Sequence, residues 1–72
     1  MKERQTDKIL RHMLLHGSIT PIDALQSYGC MRLAARIADL RKDGVLITAE
    51  LEKGVNRDGE KIVYTRYRIA EG

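Results

Sequence analysis

Residues 28–41 read Tyr28-Gly29-Cys30-Met31-Arg32-Leu33-Ala34-Ala35-Arg36-Ile37-Ala38-Asp39-Leu40-Arg41. Leu33, Ile37 and Leu40 recur at the four- and three-residue spacing of one helix face. The pattern predicts a helix over 31–43, beginning at Cys30 or Met31 and stopping at Asp43-Gly44. A second stripe of that helix carries Arg32, Ala35, Arg36 and Asp39, which the inward face leaves turned to solvent. Just upstream, Gly29 allows a positive φ where a side chain would clash. The helix therefore follows a tight turn, Ser27-Tyr28-Gly29-Cys30.

Working back from that turn, Thr20-Pro21-Ile22-Asp23 is a helix start. Thr20 caps, Pro21 suits the first helical position and Asp23 stands where a capping-box acid belongs. This second helix is short, with Ile22 and Leu25 expected inward, and ends near Tyr28-Gly29. A first helix is expected from an N-cap at Thr6, with Asp7 favouring the positive end of its dipole. Ile9, Leu10, Met13 and Leu14 share its apolar face, and Gly17 ends it. Ser18-Ile19 between the two helices reads as a brief extended strand.

Downstream of Gly44 the period shortens. Val45, Ile47, Ala49 and Leu51 alternate with Leu46, Thr48, Glu50 and Glu52, as in a strand. Residues 62–69 place Val63, Thr65, Tyr67 and Ile69 on one face, with Ile62, Tyr64, Arg66 and Arg68 on the other. Between these strands, Lys53 to Glu60 form a polar loop with an Asp58-Gly59 turn signal. The expected fold is thus α+β: three helices, a short strand between the first two, and a C-terminal β-hairpin. Two helices about a tight turn form a helix-turn-helix signature, and the hairpin adds a wing.

Residues 16–44, HGSITPIDALQSYGCMRLAARIADLRKDG, resemble the small winged helix-turn-helix proteins common in bacteriophages and prophages. The likeness continues into the second strand, Tyr67-Arg68-Ile69, and spans about residues 6–69. It implies a regulatory, sequence-reading DNA binder, with a transcriptional or architectural role in a phage or prophage.

The 72 residues are read as one domain, whose chain buries only about 60% of its unfolded surface. That leaves no room for a catalytic cleft beside the core, so no enzyme and no catalytic residue is expected. The single cysteine, Cys30, excludes an internal disulfide and suits a reducing cytoplasm. No apolar run reaches a membrane span, and the first residues show no signal-peptide pattern, so neither is expected. The net charge of +3 lies entirely within residues 31–68, which hold nine of the thirteen Lys/Arg against six of the ten Asp/Glu. Basicity on one half points to a polyanion.

A helix with its side chains is about 10–12 Å across and fits a major groove about 12 Å wide. Arg32 and Arg36 suit guanine edges, Ala35 a thymine methyl, and Asp39 either a cytosine amine or Arg36 itself. Backbone phosphates are assigned to the start of the second helix at Thr20, to Ser27 and Tyr28 in the turn, and to Lys53, Asn56, Arg57 and Lys61 in the wing. Arg57 at the tip is placed to enter a minor groove. Met31 is expected to lean into the core, and Arg66 and Arg68 to blunt an edge strand. One unit covers little DNA, so two copies on one site, a homodimer, are expected.

His12 and His16 lie four residues apart but lack further ligands, so no metal is expected, nor any cofactor or small-molecule ligand. Tyr28, Tyr64 and Tyr67 offer faces for stacking on single-stranded bases, but such tyrosines more often fill a small core with the hydroxyl at its edge, the role assigned to Tyr67. The competing reading is a protein-docking module, which would expose an apolar patch such as Leu46, Val55 and Ile62.

Overall fold

A computed structural model describes residues 3–70. Three helices, α1 (Gln5–His16), α2 (Pro21–Tyr28) and α3 (Leu33–Lys42), precede two antiparallel strands, β1 (Ile47–Val55) and β2 (Lys61–Ile69). The expected strand before α2 is reduced to one bridge. Ile19 exchanges both backbone hydrogen bonds with Tyr67, each 2.9 Å long. β2 is therefore flanked on both sides at its base, and β1 is the open edge. The sheet is otherwise two-stranded, and Arg66 and Arg68 stand on either side of the one bridged residue of β2.

The core is Ile9, Met13, Ile19, Ala24, Cys30, Leu33, Ile37, Leu40 and Ile47, with Leu10, Tyr28, Val45, Tyr67 and Ile69 packed around it. Each helix gives it few side chains, and two expected inward faces are narrower than the pattern suggested. On α1, Leu14 is exposed. On α2, Ala24 is buried while Ile22 and Leu25 are half in solvent. An eight-residue helix over a small core can bury one narrow stripe, and the residue closest to its neighbours there is the small one.

The helix ends also differ in detail. α1 is capped at Arg4, whose amide donates to the Asp7 carboxylate at 3.3 Å; Thr6 lies in the first turn, buried. α2 starts as expected: the Asp23 amide donates to the Thr20 hydroxyl at 3.2 Å, and the Thr20 amide to the Asp23 carboxylate at 3.1 Å. α3 begins at Leu33, later than expected, with Arg32 as its N-cap. Gly29 takes φ +64°, and the Cys30 amide donates back to the Ala24 carbonyl. That closure seats Cys30 in the core and leaves Met31 87% exposed, so Met31 does not lean inward.

The hairpin pairs Ile47 with Ile69 through to Val55 with Lys61. Both strands run to the very tip, so Lys53 to Val55 belong to β1 and the loop shrinks to residues 56–60. Asn56 holds this loop: its Oδ1 accepts from the amides of Asp58 and Glu60, and Gly59 takes φ +82°. At the base, Arg41 donates to the Ile47 carbonyl at 3.0 Å and ties the end of α3 to the start of β1.

Candidate nucleic-acid interface

Leu33, Ile37 and Leu40 fix the rotation of α3, because all three are buried. The residues of α3 that this leaves exposed are Ala34, Ala38, Arg41 and Lys42. Ala34, Ala38 and Lys42 stand four residues apart and form one stripe. Ala35, Arg36 and Asp39 are half-buried on the opposite flank. There Arg36 and Asp39 line a depression with Arg4, Gln5, Thr6, Lys42 and Asp43, against the start of α1.

Arg36 Nη2 lies 3.2 Å from an Asp39 carboxylate oxygen. Its Nε is buried without a hydrogen-bond partner among the described residues. The pair thus takes the local alternative foreseen for Asp39. Arg32 sits outside the helix as its N-cap, exposed, with no ion pair among the described residues. The four residues expected on one solvent stripe therefore divide into an unpaired cation at the helix mouth, a half-buried alanine and an i, i+3 ion pair. A helical wheel centred on Leu33, Ile37 and Leu40 points away from the core at Ala35 and Lys42, with Ala38 and Asp39 to either side. Nothing in the pattern revealed that α1 covers the other flank.

The expected backbone-contacting residues also divide. Thr20 is buried, and both its amide and hydroxyl are used within the α2 cap. The Tyr28 hydroxyl lies 2.8 Å from His12 Nδ1, and the two rings meet edge to face. Burial, then the charge of His16, holds the His12 pKa below its ordinary value. Asn56 spends its carbonyl on the loop. Ser27, Lys53, Arg57 and Lys61 are exposed.

On the hairpin face holding Arg66 and Arg68, the cations are paired. Arg66 Nε meets Glu52 at 2.6 Å, and its Nη1 donates to the Ser18 hydroxyl at 2.8 Å. Tyr64 also donates to Glu52 at 3.0 Å. These donors, Arg66 first, hold the Glu52 carboxyl below its ordinary pKa. No cluster of His, Cys, Asp or Glu able to hold a metal occurs among the described residues. No helix there is long and apolar enough to cross a membrane.

No curated protein matches the chain. A winged helix-turn-helix domain family does match, over residues 4–72, which takes in every element described. Domains of this kind typically bind DNA and are not catalytic. With its three helices, its Gly29 turn and its C-terminal hairpin, the chain belongs to the winged helix-turn-helix domain family.

Proposed function

We propose that the protein binds duplex DNA sequence-specifically as a phage or prophage transcriptional regulator, with α3 in the major groove and the hairpin on the adjoining backbone or minor groove. The observation that carries this is the outer side of α3. It offers two methyl-sized side chains, Ala34 and Ala38, between Arg32 at one end and Arg41 and Lys42 at the other. Such a surface lets the helix approach base edges closely while its ends meet phosphates. Of the expected base readers, Arg32 stands at the mouth of this side, and Ala35, Arg36 and Asp39, half-buried along its α1 flank, remain proposed readers at its margin. Arg36 reaches a guanine once it leaves Asp39, a surface pair worth about 0–1 kcal/mol and so easily exchanged. Ser27, Lys53 and Lys61 take phosphates. Two copies on one site supply the area that one unit lacks.

A second reading, protein docking, has one observation in its favour. Ile22, Leu25 and Met31 are exposed together around a shallow apolar depression with Pro21, Cys30 and Leu33. Adding random-sequence duplex to isotopically labelled protein separates the two. DNA binding shifts the amides of residues 27–42 and 53–61 together, and the effect fades with salt, because releasing counterions into a more concentrated solution gains less entropy. Unmoved amides at low salt would reject DNA and leave the apolar depression as the working surface.

A further inference from the structure

The register of the hairpin sorts its side chains into two faces of different character. One face holds Thr48, Glu50, Glu52 and Gly54 against Arg68, Arg66, Tyr64 and Ile62. Its charges cancel, because Arg66 pairs with Glu52 at 2.6 Å and Arg68 lies 4.0 Å from Glu50 and 3.9 Å from Glu52. The other face holds Ile47, Ala49, Leu51, Lys53 and Val55 against Ile69, Tyr67, Thr65, Val63 and Lys61.

At its base this second face covers the core through Ile47, Tyr67 and Ile69. Past Ala49 the core ends and the same face stands in solvent. Leu51, Val55 and Val63 are 77%, 67% and 62% exposed. The overhanging part carries two lysines and no carboxylate, and neither lysine forms an ion pair among the described residues. The loop beyond it sets Arg57 against Asp58 and Glu60, so the tip itself is net negative.

We propose that the hairpin meets DNA with this flat face, Lys53 and Lys61 each on a phosphate and Leu51, Val55 and Val63 against the sugars between, and not with the Arg57 tip. The inference rests on the DNA reading above and specifies how the wing takes part in it. Charge complementarity selects the occupant: a face with cations, apolar surface and no acid matches a polyanion whose sugars are apolar. Lys53 and Lys61 are diagonal neighbours across the ladder, about 7–8 Å apart at their backbones, which is wide enough to serve separate phosphates. Cross-strand placement on a paired ladder also holds them more firmly than a loop holds Arg57.

The test measures affinity for a labelled random-sequence duplex between roughly 50 and 200 mM salt, where each phosphate contact contributes about 0.9 to the log–log slope. The Lys53→Gln/Lys61→Gln protein should lose about 1.8 from that slope. Arg57→Gln should leave the slope as it is, and Leu51→Ser should weaken binding without changing it. All four positions are exposed, and a melting curve checks that each variant is folded. An unchanged slope in the double variant overturns the proposal, as does an Arg57→Gln loss equal to that of the pair. Wild-type protein that fails to bind the duplex overturns the DNA reading itself, a separate and recognisable result.

Discussion

The Tyr28 hydroxyl and His12 Nδ1 join the end of α2 to the middle of α1. A hydrogen bond of this kind is worth about 0.5–1.5 kcal/mol net, so Tyr28→Phe should lower stability to urea by about 1 kcal/mol with the fold kept. The burial of His12, with His16 beside it, gives a pH dependence. His12 in the folded chain has a pKa below its unfolded value, so at mildly acid pH the unfolded chain holds more protons. Stability should therefore fall as pH drops below about 6.5 towards the folded value. Thermal melts from neutral to acid pH check this, and His12→Gln should flatten the curve over that range. Both residues were conspicuous in the sequence, but their partnership was not: His12 read as half of a surface pair with His16 and Tyr28 as a backbone contact, because the two are sixteen residues apart. Asp39 was the reverse case, since its i, i+3 spacing from Arg36 made their pairing foreseeable.

Among the elements, the start of α2 was the most legible, since Thr20, Pro21 and Asp23 each carry a local reason for the same geometry. Thr20→Ala removes one half of the box and should cost about 1 kcal/mol, within the usual range for caps, in a denaturant titration. At the other end of α2, Gly29 at φ +64° has no close neighbour, so Gly29→Ala meets backbone strain alone. It should cost about 1–2 kcal/mol by the same measurement and displace α3 little. The start of α3 was misjudged because apolar spacing says nothing about where a helix begins. Cys30 and Met31 extend the pattern, but one fills the core from the turn and the other faces water. The hairpin's length was equally hidden, as polar Lys53 and Gly54 pass for the start of a loop and Val55 alone carries a strand signal.

Taken whole, the molecule is a small core with a long hairpin projecting from it, within principal extents of 40 × 30 × 20 Å. The amides near the tip should exchange with deuterium well before those of Ile19 and Tyr67, where strand and bridge sit on the core. Hydrogen exchange followed residue by residue checks this order; equal protection along β2 would contradict it. The architecture itself was readable, because it follows from element order and from a change of hydrophobic period at Gly44. The exposed side of α3 was readable only in part, since it depends on how α1 lies across the helix, and that is settled by packing between distant residues.

The burial of Cys30 has a practical consequence. It is the chain's one thiol, it is 3% exposed, and it lies beneath the turn that separates α2 from α3. An alkylating reagent can reach it only while that turn is lifted from the core, so the rate of modification counts openings of the helix-turn-helix unit. Slow labelling that quickens in mild denaturant would make the side chain a chemical clock for the domain, and slower labelling still in the presence of a ligand would report, with no added probe, that the ligand has fastened the two helices together.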